Sequence, residues 1–324
     1  MKYINNLEIN LDNFFNINDL NKIEIKNLQI YNLYDKDKMI KYKNKIIKND
    51  FLIDYIVNGG GLSIFYSILK EDDILVSNSP VLVYYYSSII NRPFPEGEDI
   101  IAQDPKYSYE YAERIIRGPF PKGELAISED PKYSYEYSRL IKSPFPKGEL
   151  AISKDPKYSY EYAEYIIRGP FPSGEEAISK DPKYSYEYAN KIINKNTYIN
   201  KKRFMLGEDA ISTSAEYSYE YAINIIMGPW EKGEEAISKD PEYSYKYAQD
   251  IIDGPWPQGE KAISQDAPTA SKYARYIIKG PFPLGEETIM KSKDFPRNLY
   301  LAFLKEQGYD TTQLEEKYPK QVDY

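Results

Sequence analysis

The chain has 324 residues, with 42 Lys and Arg against 50 Asp and Glu and a formal net charge of -8, so it lacks the cationic surplus that a general duplex-DNA binder turns toward phosphates. It holds no Cys and no His, which removes disulfides, thiolate metal sites, zinc centres of the usual kind, Cys-His and Ser-His nucleophile pairs and the commonest general acid-base side chain. No apolar run approaches the roughly 18 residues of a membrane helix and no signal peptide precedes the first charges, so a soluble cytoplasmic protein without cofactor, metal or membrane attachment is expected.

Residues 1–70 do not repeat and are expected to form a small N-terminal α or α+β segment. The alternation in Ile23-Glu24-Ile25-Lys26 and Leu28-Gln29-Ile30-Tyr31 predicts a short strand or hairpin. Lys36, Lys38, Lys41, Lys43, Lys45 and Lys48 follow, either on a solvated helix or as a phosphate-binding patch. Gly59-Gly60-Gly61 is not followed by Lys-Ser or Lys-Thr, so it reads as a hinge or helix break and not as a phosphate-cradling loop.

From about residue 72 the chain repeats one unit. A Gly-Glu pair recurs at Gly97, Gly123, Gly148, Gly174, Gly207, Gly233, Gly259 and Gly285, a spacing of 26 with one step of 25 and one of 33. A fixed period in this range marks a stacked array. The expectation is an all-α chain, an α-solenoid of about eight or nine two-helix repeats over residues 71–290, with residues 291–324 forming a capping helix, near Phe295–Leu304, followed by a polar tail. Residues 72–92, with Ser79-Pro80 and Tyr84 to Tyr86, read as a degenerate first unit.

Punctuation places the helices. Asp104-Pro105 is an N-cap followed by proline at the first helical position, and the helix should run to Ile116 before Gly118-Pro119. The signal recurs at Asp130, Asp155, Asp181 and Asp240, and Ser214 takes its place after the long step. A shorter first helix should cover roughly Gly97 to Gln103. On a wheel of about 100° per residue, Ser108, Ala112, Tyr111, Ile115 and Ile116 share an apolar arc with Tyr107 and Tyr109 at its edges. A helix this short needs the next repeat to cover it.

Three features could carry binding. The Glu after each Gly is invariant along the array: Glu98, Glu124, Glu149, Glu175, Glu208, Glu234, Glu260 and Glu286. A helix-dipole role would admit Asp as well, so strict Glu points to an acceptor, either for a tyrosine hydroxyl or backbone N–H of the adjacent unit or for a basic ligand lying along the array. The outer tyrosines Tyr109, Tyr135, Tyr160, Tyr186, Tyr219 and Tyr245 give way to Ser271, which reads as a half-exposed row used for edge packing or for contacts. An insertion of about seven residues between Asn194 and Phe204 brings Lys195, Lys201, Lys202 and Arg203, either a tolerated surface loop or a partner contact. The aromatic before each Gly, Phe94, Phe120, Phe145, Phe171, Phe204, Trp230, Trp256 and Phe282, reads as inter-repeat core or as a stacking row. The outer charges of the second helix vary in sign and read as a solvated face.

The unit Pro-x-Gly-Glu-x-Ala-Ile-x-x-Asp-Pro-x-Tyr-x-Tyr-x-Tyr-Ala-x-x-Ile-Ile-x-Gly resembles the short helical repeats of giant DNA viruses and large bacteriophages over roughly residues 72–290. The resemblance implies a viral origin and an α-solenoid, located in the host cytoplasm or the virion, and implies no catalytic residues. The expected function is a non-enzymatic scaffold for a protein partner. The alternative is single-stranded nucleic-acid binding, with tyrosines stacking on bases and the loops near Lys41 and Lys201 holding phosphates. A carboxylate-based glycosidase would need two paired acids, and no pair is marked out.

Overall fold

The computed structural model of the protein describes residues 70–293 and 295–319. The strand expected at 23–31, the lysine-rich stretch at 36–48 and the glycines at 59–61 lie outside the described residues. Contacts divide the chain into two units, Met1–Ala151 and Ile152–Tyr324. The described parts of both are all-α and built of the same two-helix repeat, a solenoid architecture.

Each repeat opens at its aromatic. Gly123 N–H donates to the Phe120 carbonyl at 3.0 Å, which folds Pro121–Gly123 into a 3-10 turn that runs into Glu124–Ile127. The first helix thus begins two residues earlier than the Gly-Glu pair suggests, because proline and the aromatic carbonyl start the winding. The second helix begins as the punctuation predicts. Asp104 Oδ1 accepts the Tyr107 N–H at 2.9 Å, and Asp130, Asp155, Asp181 and Asp240 cap Tyr133, Tyr158, Tyr184 and Tyr243 in the same way. Such a cap contributes about 1 kcal/mol.

The uneven spacing of the repeats has a structural origin at the end of this helix. In the 25-residue repeat the helix is α throughout, Pro131–Ile141, and the Ser143 N–H closes on the Ser138 carbonyl five residues back. In the 26-residue repeats it turns from α to π after Glu110 or Glu161, over Tyr111–Ile116 and Tyr162–Ile167, and likewise over Ala222–Ile226, Ala248–Ile252 and Ala274–Ile278. There the N–H of Gly118, Gly169, Gly228, Gly254 or Gly280 closes on an alanine carbonyl six residues back. One extra residue is absorbed as a π turn, and the residues on either side keep their places. Ile115 and Ile116 are only half-buried, as are Leu140 and Ile141 in the straight helix, so the apolar arc drawn on the wheel is not covered to its end.

Repeats approach closely where both sides are small. A Cβ on Gly174 would lie 2.7 Å from the Ser159 Cβ of the preceding repeat and 2.6 Å from the Phe171 ring, and Gly148, Gly233 and Gly259 face Ser134, Ser218 and Ser244 in the same way. The serine is buried, and its hydroxyl donates to the last carbonyl of the first helix, as from Ser185 to Ile178 at 2.9 Å. The aromatic of one repeat packs edge-on or tilted against the central tyrosine of the repeat before it: Tyr111 with Phe120, Tyr137 with Phe145, Tyr188 with Phe204 and Tyr247 with Trp256, at centroid separations of 4.8–5.2 Å.

The degenerate first unit forms Glu71–Ser77 and Pro80–Ile90. At the other end Phe295–Glu306 is a second helix of the same kind, followed by Thr312–Lys317. By register Arg297 occupies the place of the small serine. It is 7% exposed, donating from Nη1 to the Met290 carbonyl at 2.6 Å and from Nη2 to the Tyr318 carbonyl at 2.5 Å.

Candidate functional site

The invariant Glu and the central tyrosine meet in the repeats of Glu98, Glu124, Glu175, Glu208, Glu234 and Glu260. Tyr188 is fully buried, and its hydroxyl accepts the Phe171 N–H at 2.9 Å and donates to Glu175 Oε1 at 2.8 Å. The same pair of bonds joins Phe94, Tyr111 and Glu98; Phe120, Tyr137 and Glu124; Phe204, Tyr221 and Glu208; Trp230, Tyr247 and Glu234; and Trp256, Tyr273 and Glu260. One phenol thereby satisfies both the aromatic N–H at the start of a repeat and its own buried O–H. Asp is too short to span this gap from the same backbone position, which accounts for the strict Glu. The acceptor role expected toward the adjacent unit is corrected: the tyrosine belongs to the glutamate's own repeat, 13 residues on.

Tyr300 completes a further set with Phe282 and Glu286, at 3.0 and 3.1 Å. Sequence reasoning placed this tyrosine only in a capping helix. One extra residue before Phe295 hides its register, although a lone Tyr in an apolar helix 14 residues after Glu286 was a usable signal.

Burial pushes the Tyr111 and Tyr137 phenols up to about 12, against the opposing pull of the Phe94 and Phe120 N–H donors. Tyr188, Tyr221, Tyr247, Tyr273 and Tyr300 are raised for the same first reason.

The second oxygen of the glutamates is treated differently along the array. Lys122 lies 3.4 Å from Glu98 and 3.0 Å from Asp99, and Lys147 lies 2.7 Å from Glu124. Arg203 grips both oxygens of Glu208 at 2.6 Å. Glu149, Glu175, Glu234, Glu260 and Glu286 are half-buried.

The Tyr109 row differs from the half-exposed edge expected. Tyr135, Tyr160, Tyr186 and Tyr219 are only 3–8% exposed, while Tyr109 and Tyr245 are intermediate. The cause is the next repeat: Tyr109 packs on Tyr133, Tyr160 on Tyr184, Tyr186 on Tyr217 and Tyr219 on Tyr243, at 5.7–6.0 Å. Thr269 replaces the covering ring in the repeat after Tyr245, and no such stack is formed there.

Outside these constant contacts the residues following the central tyrosine change from repeat to repeat, as Glu113-Arg114, Glu164-Tyr165, Asn190-Lys191, Ile223-Asn224, Gln249-Asp250 and Arg275-Tyr276. The second member reaches back to the hydroxyl of the preceding repeat: Arg114 to Tyr84 at 3.4 Å, Asn224 to Tyr186 at 3.0 Å, and Asp250 from Tyr219 at 2.7 Å.

The insertion begins at Asn194, whose Nδ2 donates to the Ala189 and Lys202 carbonyls at 2.8 and 2.7 Å and whose Oδ1 accepts the Lys202 N–H at 2.6 Å. Lys202 is exposed and Lys201 half-buried, whereas Arg203 is committed to Glu208. An open cleft of about 610 Å³ lies between Ser212, Thr213 and Ala215 and the next repeat's Lys232, Glu235 and Lys239. Among the described residues no three acidic side chains gather as a metal site, and no helix is long and apolar enough to cross a membrane.

These rows define a class, an all-α repeat protein with a constant bonded interior and a variable outer row. Compared with protein-family models, curated proteins and solved structures, the chain has no match.

Proposed function

We propose that the protein is a non-enzymatic scaffold that binds a protein partner along its repeats. The observation that carries this reading is the division of labour within the repeat. Asp, Ser, Tyr and Glu at fixed positions are bonded to one another and to the backbone, while the pairs from Glu164-Tyr165 to Arg275-Tyr276 vary on a framework that holds them at regular intervals. Stacked repeats use such surfaces for recognition. A viral setting, in the host cytoplasm or the virion, rests on the resemblance of the repeat.

The alternative of single-stranded nucleic-acid binding asked for tyrosine faces open to bases. Tyr160, Tyr186 and Tyr219 are buried against neighbouring repeats, which counts against base stacking on that row.

The test is an exchange. The pairs at 164–165, 190–191, 223–224, 249–250 and 275–276 are all replaced by Ala-Ala in the full chain, and proteins captured from host lysate are compared at matched thermal stability. Loss of the partners that the wild-type chain captures supports the reading. Capture of the same set by a folded variant refutes it.

A further inference from the structure

The second helices end in a residue that glycine would ordinarily supply. Asn91, Arg117, Lys142, Arg168, Met227, Asp253 and Lys279 all take left-handed backbone angles, with φ between 51° and 60°. Glycine reaches this region without a Cβ penalty, and Asn is the customary substitute. Arg, Lys and Met are not, and Asp takes it only occasionally. A glycine stands one residue further on in five of these repeats, yet none of those glycines is left-handed, and a Cβ on Gly118, Gly169, Gly228 or Gly254 would meet nothing within 4 Å.

Helix-end electrostatics covers part of the row, since a cation beside the last carbonyls is favoured. It does not cover Asp253, whose sign is wrong, or Met227, which has no charge. Arg117, Lys142, Arg168 and Asp253 are exposed, and their side chains have no hydrogen bond or ion pair among the described residues. Strain held at exposed, unpartnered side chains points toward function.

The inserted loop leaves the chain at this same position of its repeat, because Asn194 is the counterpart of Arg168 and Asp253. Asn194 ties the two ends of the loop together, so residues 195–201 project as a closed loop. At its tip Tyr198 is 81% and Ile199 75% exposed, and Lys195, Lys201 and Lys202 flank them without an acidic partner. The left-handed residue of the following repeat, Met227, is 60% exposed. In a chain of net charge -8 this edge gathers unpaired cations around apolar side chains.

We infer that the helix-end edge running from Arg168 through the 195–202 loop to Met227 is the docking site for an acidic amphipathic peptide segment of the partner. Its carboxylates meet Arg168, Lys195, Lys201 and Lys202, and its apolar side chains cover Tyr198, Ile199 and Met227. The inference rests on the scaffold reading and names the partner's chemistry.

The test uses the full chain and a fluorescein-labelled synthetic peptide of Asp and Glu carrying two Leu and one Phe, followed by fluorescence anisotropy. Binding is expected to weaken about tenfold or more when the peptide's apolar residues become Ser, and likewise in K195E/K201E/K202E and in Y198S/I199S. Met227→Gly should bind the peptide more weakly while melting no lower than wild type, an outcome that a purely structural role for Met227 would not give. Wild-type affinity in these variants, equal binding of the Ser peptide, or tighter binding of oligo(dT) than of the peptide would overturn the inference. So would a self-association of the wild type that the loop variants lose, which would assign the edge to a second copy. If the loop variants still capture the partners that the Ala-Ala exchange loses, the docking edge is refuted and the scaffold reading stands.

Discussion

The Tyr188 hydroxyl accepts the buried Phe171 N–H and donates to Glu175, so removing it should cost more than removing the charge it touches. In Tyr188→Phe the buried Phe171 N–H loses its acceptor, a desolvation penalty of about 1–3 kcal/mol, and the hydrogen bond to the Glu175 carboxylate is lost as well, worth about 1.5–3 kcal/mol. Glu175 is half-buried and recovers part of the second loss by solvation, which brings the expected cost to about 2–4 kcal/mol. Glu175→Gln keeps an acceptor for the phenol and should cost only about 1 kcal/mol. Urea unfolding followed by circular dichroism gives the ranking, and hydrogen exchange at the Phe171 amide reports the local effect, which matters because long arrays need not unfold in one step. Tyr276→Phe, at a position 53% exposed, is the control and should change little. A Tyr188→Phe loss below about 0.5 kcal/mol, or a Glu175→Gln loss equal to it, would refute the argument, the second by showing that the carboxylate's charge and not its acceptor capacity matters.

Alkali should unfold the protein through the same phenols. Their folded-state pKa values are raised, to about 12 for Tyr111 and Tyr137, so stability is full below about pH 10, where both states are protonated, and falls as pH rises through the folded value. Each such tyrosine adds a slope of about 1.4 kcal/mol per pH unit, and tyrosinate absorbance at the buried sites should appear together with helix loss; ionisation well before unfolding would count against the assignment. Deleting Gln249 from the π turn Ala248–Ile252 should give a straight helix like Pro131–Ile141 with little change in melting temperature, whereas deleting Glu242 from Pro241–Tyr247 shifts Tyr247 away from Glu234 and should cost several degrees or more; equal effects would refute the π-turn account. Arg168→Gly should stabilise by about 0.5–1 kcal/mol, left-handed strain relieved less the entropy glycine adds to the unfolded chain, and a destabilised variant would show that the arginine is held by packing.

Much of the repeat was legible because its signals are local. Asp-Pro, or Ser in its place, set most second helices, and the Ser and Ala positions marked the close contacts, since small residues repeated at one register leave little else to explain. The partner of the Glu row was not legible, because its distance from the central tyrosine fits a contact within the repeat as well as one across it, and only the turn between the helices decides. The burial of the Tyr109 row was hidden for a related reason. A helix wheel places a residue relative to its own axis, while the ring that covers Tyr186 comes from Tyr217 in the next repeat. The step of 25 among steps of 26 was plain in the sequence, which places the missing residue between Tyr137 and Phe145, but that the longer repeats take up the extra residue as a π turn shows only in the backbone.

Arg297 bears on how such a chain can grow. From Gly123 to Gly259 the glycine of each Gly-Glu pair seats itself against a serine of the repeat before it, and Gly285 against Ala270, whereas Arg297 fills the corresponding seat with a guanidinium held by two carbonyls. A copy of the repeat appended after this helix would find no place for its glycine, whereas a copy inserted between existing repeats would find a serine on one side and offer one on the other. Lengthening by duplication is therefore open in the interior and closed at this terminus, and the one large insertion at 195–201, which enters between repeats and leaves both contacts intact, follows the same rule.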